Sequence, residues 1–284
     1  MDRGVDIQLP EGASASGLSY WTALAQCPRR ARLAALGDGG GRPGAGQARG
    51  ILVHAMLEHW LQDKVSAADL VEAPFYPEDH PALADLASVA DARRLGPWLV
   101  KSVFGLERRG LGDIVAIEHA ISSGPELARR LGVPLIPDGP TELTARLDLL
   151  LDIGEAHIPR WASIADGGKF VFPGRWVVDL KVLSARSNLA GYAAHMASLW
   201  YPLAAEKEFG TPVAGIIYLC LIATRQPGIE VVVTPTDLNA VDILRAFFQS
   251  VERKLAGGLD ATDPSACVDF FRTCPYLRAG CSRF

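Results

Sequence analysis

Apolar and polar positions divide the chain into short strand-like runs and longer stretches with helical spacing. The clearest strand is Arg175-Trp176-Val177-Val178-Asp179-Leu180-Lys181, aromatic and β-branched, introduced by the turn residues Pro173 and Gly174. A second runs from Leu143 to Leu151 and is interrupted by Asp148. Further strands are expected over Asp113–Ser122, which carries Glu118, and over 213–223 and 229–234. Helical spacing predicts helices from about Tyr20 to Cys27, over Ile51–Leu61 with His54, Glu58 and His59, over Pro125–Leu131, over Ala185–Phe209 and over Pro235–Leu255. Residues 65–110 read as helices broken at Pro74–Pro81 and at Gly96-Pro97. Gly37–Gly50 reads as a flexible Gly-rich loop, and 154–174 as a loop or hairpin insertion between two strands. Helices before and after a mixed sheet make the fold class α/β (α+β).

Composition narrows the function classes more than the fold. The 284 residues suffice for one large domain or two small ones. A formal net charge of -4 means that any nucleic-acid partner must be held by local patches, since there is no global basic field. No apolar run is long enough to span a bilayer, and Met1–Ser16 lacks a signal-peptide core, so the expected location is cytoplasmic, with no membrane partner. In that compartment five cysteines point to a metal, a cluster or free thiols rather than to disulfides. Asp166-Gly167-Gly168-Lys169 lacks the first glycine and the hydroxyl residue of a phosphate-binding loop and reads as a turn.

The chemistry gathers where strands break their own apolar pattern. Asp179 and Lys181 are two apart and point to one face of their strand. Asp148 and Glu118 occupy neighbouring expected strands. Buried carboxylates are costly without a compensating charge, and hard oxygen ligands suit Mg2+ or Mn2+. Such an ion activates water and offsets charge building on a phosphate, and a lysine beside it orients or deprotonates the water or stabilises that charge. A D-x-K tripeptide alone reads first as a strand-end ion pair, and it is Asp148 and Glu118 on neighbouring expected strands that turn the reading toward a site. Cys220, inside an apolar run, reads as a core thiol. The other four cysteines could bind zinc or an iron–sulfur cluster, both of which accept four thiolates.

The order of motifs is Ser19 to Cys27-Pro28-Arg29-Arg30, Gly50-x-x-x-His54, Glu118, Arg146-x-Asp148, Asp179-Leu180-Lys181 and three C-terminal cysteines. It resembles the PD-(D/E)xK nuclease superfamily, in particular RecB-like and CRISPR-adaptation-type exonucleases with an iron–sulfur cluster. The resemblance implies a restriction-endonuclease-like mixed central sheet flanked by helices. It also implies metal ligation by His54, Asp148, Asp179 and the Leu180 carbonyl, catalysis by Lys181 with Asp179, Asp148 and Glu118, and a 4Fe–4S cluster on Cys27, Cys267, Cys274 and Cys281. Val182 stands where relatives usually carry threonine, and His195 stands nearest a usual glutamine. The expected layout is a lead-in over 1–16, an N-terminal helical region over 17–110, the nuclease core over 111–258 and a cysteine tail over 259–284, joined to the N-terminal region by the cluster. The expected activity is metal-dependent exonucleolytic hydrolysis at DNA ends in repair, recombination or phage- or CRISPR-type processing, with DNA and a helicase or recombination protein as partners. The alternative is a catalytically weak DNA-end-binding module of a helicase or recombination complex.

Overall fold

The computed structural model describes residues 45–64, 86–134, 142–184 and 196–256, together with positions 21, 25, 66 and 68 and the pairs 268–269 and 272–273. Two compact units share the chain. The larger, drawn from 42–121 and 146–237, carries the sheet.

Its elements follow in the order α1 (Ala45–Leu61), α2 (Leu86–Ser102), β1 (Asp113–Ser122), β2 (Thr144–Ile153), α4 (Ile158–Ile164), β3 (Gly174–Leu183), α5 (Met196–Phe209), β4 (Gly215–Ile222) and β5 (Gly228–Pro235), while α3 (Gly124–Leu131), between β1 and β2 in the chain, belongs to the other unit. The strands form one mixed sheet in the order β1-β2-β3-β4-β5. β2 and β3 are antiparallel with Leu149 opposite Val178, β3 and β4 are parallel with Asp179 opposite Tyr218, and β4 and β5 are antiparallel. β4 (Gly-Ile-Ile-Tyr-Leu-Cys-Leu-Ile) is buried along its whole length, as expected of a central strand covered on both faces.

Strand alternation separates two faces. Trp176, Val178 and Leu180 of β3 and Ile217, Leu219 and Leu221 of β4 join Leu52, Met56 and Trp60 of α1 and Leu95 and Leu99 of α2 in one core. The alternate positions of β3 and β4 face α5, where Trp200, Ala204 and Ala205 are buried. Helices thus cover the mixed sheet on both sides, the restriction-endonuclease-like α/β arrangement.

Four boundaries differ from the sequence reading. The segment 45–50, expected as loop, is the first part of α1, where Ala48 and Leu52 anchor the helix in the core. α2 runs unbroken through Gly96-Pro97, because a side chain at Gly96 would collide with Met56 of α1 and the interhelical packing compensates the lost hydrogen bond. The 154–174 insertion is helical, with a 3-10 turn over Glu155–His157, then α4, then a 3-10 turn over Asp166–Phe170. It is locked in place by Trp161, whose indole N–H donates to the Leu111 carbonyl at 2.8 Å, and by Gly167, where a Cβ would strike the Val231 carbonyl. Pro235 closes β5, and the helix expected from that residue starts at Ala240.

The second unit includes α3 and α6 (Ala240–Leu255). α6 buries Ala240, Leu244, Phe248 and Val251 along one stripe, with Trp21 edge-on to Phe248 at 5.5 Å. Arg245 donates to the Arg130 carbonyl at the end of α3, at 3.0 and 3.2 Å. β6 (Val268–Asp269) and β7 (Arg272–Thr273) pair as a short hairpin. No helix among the described residues is long and apolar enough to cross a membrane.

Candidate metal centre

β3 delivers two charged side chains to the edge of an apolar sheet. Asp179 is only 4% exposed, and Lys181 Nζ lies 2.5 Å from its Oδ2. The ammonium is the close cationic partner of this buried carboxylate. Asp179 and Asp148 hold the Lys181 ammonium well above the usual lysine range, outweighing the burial that opposes its charge. Extending the β2–β3 register by one pair sets Asp148 beside Asp179, and the Leu180 N–H donates to Asp148 Oδ2 at 2.7 Å.

α1 brings the third ligand type. His54 Nε2 is 2.9 Å from the Leu180 carbonyl, and its Nδ1 lies 3.6 Å from Asp148 Oδ2 and 3.7 Å from Glu118 Oε1. Burial opposes a charge on this imidazole, but Asp148 and Glu118 outweigh it and lift the His54 pKa to about 9. Burial and the neighbouring Asp179 raise Asp148 to about 6, against the pull of His54. The imidazolium and the ammonium therefore neutralise part of the acid cluster.

β1 supplies Glu118 by a backbone departure. Its φ of +45° lies in the left-handed region, which a non-glycine residue occupies at a cost of about 1–2 kcal/mol. Such a residue interrupts strand alternation as a bulge does and re-aims the side chain. Glu118 Oε2 receives Arg146 Nε at 2.7 Å, and Arg146 Nη2 stands 3.9 Å from Glu58 Oε1, which also accepts from Gln62 at 3.0 Å. His54, Glu58, Glu118, Arg146, Leu180 and Lys181 all line one open cavity of about 550 Å³.

Ligand atoms of His54, Glu118 and Asp148 lie within 4.8 Å of one another, a donor set suited to a hard divalent cation. Asp179 stands outside this trio, turned to Lys181, with its carboxylate directly across the β2–β3 pair from Asp148. His54, Glu118, Asp148, Asp179, Leu180 and Lys181 are thus gathered in one place. Cys27, Cys267, Cys274, Cys281 and His195 lie outside the described residues. Cys220 is a free, buried thiol paired in register with Lys181, its pKa pushed up to about 12 by burial and by Asp179.

Two site neighbours carried no role in the sequence reading. Tyr201 on α5 feels both Asp179 and Lys181, and burial first, then Asp179, raises its phenol to about 12. Beside the buried Trp200 it reads from sequence as one more core aromatic. Arg146 enters the sequence reading only as part of the Arg146-x-Asp148 motif, and the side-chain geometry aims it at Glu118.

Two facing acids on adjacent strands of a mixed sheet, a lysine beside one of them and a histidine from a flanking helix make up a candidate metal centre of the nuclease type. The sequence matches the PD-(D/E)XK nuclease superfamily over residues 14–279, and the chain belongs to that superfamily. A search among curated proteins returns no match. Among solved structures, the chain is similar to a crystal structure described as a "Putative exonuclease" from Eubacterium rectale, at 11% identity, covering 85% of this chain and 81% of that one, with a TM-score of 0.45.

Proposed function

We propose that this protein is a Mg2+- or Mn2+-dependent exonuclease that hydrolyses phosphodiester bonds at DNA ends, and that DNA is its direct partner. The observation that carries the reading is the convergence of His54, Glu118 and Asp148 beside the Asp179–Lys181 pair, with His54, Glu118 and Lys181 lining one open cavity. We assign metal ligation to His54, Asp148, Asp179 and the Leu180 carbonyl, with Glu118 placed to join them. A divalent cation there lowers the pKa of a water and neutralises charge on the phosphate. Lys181, kept charged by two carboxylates, acts as a cation: it hydrogen-bonds a phosphate oxygen and stabilises the charge that builds there. Glu118, fixed between His54 and Arg146, holds the imidazole in orientation. The reaction adds one water across a P–O bond, leaving a phosphate monoester and a hydroxyl.

The same reading includes a 4Fe–4S cluster on Cys27, Cys267, Cys274 and Cys281, since four thiolates are the donor set such a cluster takes. Its role is structural, because hydrolysis requires no redox step. The cellular setting implied by the resemblance is DNA repair, recombination or CRISPR-type processing alongside a helicase or recombination protein. End-labelled single- and double-stranded DNA, incubated with the wild type in Mn2+ and in EDTA, tests the activity. Label should be released from ends only with metal, and both Asp148→Ala and Asp179→Ala should abolish release. Full activity in either variant would remove the site assignment, and cuts confined to internal positions would replace exonuclease by endonuclease.

A further inference from the structure

Arg146 is poorly explained as a partner of Glu118 alone. Its ion pair uses Nε, at 2.7 Å, while the nearest carboxylate to Nη2 is 3.9 Å away on Glu58. Among the described residues the two terminal nitrogens, which make the fork that matches phosphate, have no carboxylate closer than that of Glu58. The side chain is 62% exposed, yet it lines the same cavity as Lys181 and His54. Across that cavity α1 presents Gly46 and Gly50, one turn apart and in line with His54. Among the described residues nothing lies within 4 Å of a Cβ built at either glycine, so this face of the helix carries open space. Glycine costs about 1 kcal/mol relative to alanine inside a helix, so the open space is kept at the expense of helix stability.

We propose that Arg146 is a phosphate-binding residue: tethered through Nε to Glu118, it presents its terminal N–H groups to a non-bridging oxygen of the bound DNA strand, which lies over the Gly46–Gly50 face of α1. This rests on the nuclease reading above and names the side chain that grips its substrate. A lysine at this position could supply charge but could not hold Glu118 and a phosphate through one planar group.

The test uses the full-length protein and a fluorescein-labelled single-stranded oligonucleotide, with Ca2+ replacing Mg2+ for binding and Mn2+ for turnover. Arg146→Ala should weaken DNA binding about tenfold or more, the range for losing one charge-assisted hydrogen bond. It should also flatten the slope of log K against log salt by about 0.7, the increment for one single-strand phosphate contact. Arg146→Lys should recover the slope but only part of the affinity. Gly50→Leu fills open space on a helix, so it should keep or raise the melting temperature while raising KM for DNA. If Arg146→Ala binds DNA with wild-type affinity and slope while kcat falls, Arg146 only holds Glu118 and the proposal is wrong. A wild-type KM in a folded Gly50→Leu protein overturns the strand path. A wild type that binds DNA in an Arg146-dependent way without cleaving it would defeat the nuclease reading and leave this contact standing.

Discussion

Loading of the metal centre should be coupled to release of a proton from His54. The perturbation is pH, applied to metal-free protein. With the His54 pKa near 9, only about one molecule in a hundred carries neutral imidazole at pH 7, and a nitrogen must be unprotonated to ligate a cation. Removing that proton at pH 7 costs about 2.7 kcal/mol, at 1.36 kcal/mol per pKa unit. A quarter of the side chain stays open to solvent, which screens the two carboxylates, so this figure is an upper bound. The sign follows from the charge: the proton competes with the cation, so apparent affinity rises with pH. Mn2+ affinity should climb up to about tenfold per unit between pH 7 and 9, then level off. Below pH 6 the dependence should steepen as Asp148 also takes up a proton. Isothermal titration calorimetry in two buffers of different ionisation enthalpy counts the protons directly, and about one per metal is expected at pH 7.5. His54→Gln should bind more weakly and with no pH dependence over this range. A flat wild-type affinity from pH 6.5 to 9, with no buffer-dependent heat, would refute the reasoning and leave His54 outside the coordination sphere.

Lys181→Ala should lower kcat by about a hundredfold or more, the range for loss of a positioned catalytic group, with Mn2+ affinity changed far less; steady-state kinetics beside calorimetry separates the two. Anaerobically purified protein should be brown and carry about four irons, and Cys274→Ser should lose the colour whereas Cys220→Ser keeps it; stoichiometric zinc in colourless protein would replace the cluster by a zinc staple. Glu118→Asn should leave the melting temperature unchanged or raise it, since asparagine tolerates positive φ, yet it should weaken Mn2+ binding; a large fall in melting temperature would show that Glu118 is held for stability.

The sheet was legible because burial on one or both faces writes period two into the sequence: β1 to β5 fall where apolar alternation or apolar runs place them. Asp148, Asp179 and Lys181 stood out for the complementary reason, that a charge inside such a run demands a compensating neighbour. What escaped depends on contacts distant in sequence. Gly96-Pro97 looks like a helix break until Met56 of α1 is seen to fill the space over Gly96. α4, only seven residues long and opened by Pro159, is too short to show a helical period, and the glycines after it read as a turn although Gly167 serves a close backbone approach to β5 and Gly168 one to α4. A histidine on an apolar helix is usually a packed one, and His54 was singled out through resemblance rather than through its own pattern. The left-handed φ of Glu118 has no signature in residue type, so neither the aim of its carboxylate nor its link to Arg146 could be read in advance.

The charges at the site explain why so acidic a cluster holds together before any cation arrives. Glu118, Asp148 and Asp179 are all largely withdrawn from solvent, and three carboxylates this close repel strongly in a medium less polar than water. The fold answers each with a cation from a different element: Lys181 of β3 on Asp179, His54 of α1 beside Asp148, and Arg146 of β2 on Glu118. These three differ in how readily they yield. The imidazolium can leave by losing a proton within the physiological range, whereas the ammonium and guanidinium cannot. His54 is therefore the counter-ion that a metal can displace, becoming its ligand in the same step. Under the proposed function, Lys181 and Arg146 would keep their charges and meet the phosphate of the substrate. One histidine placed among acids lets the apo site stay folded and the loaded site form without rearranging the sheet.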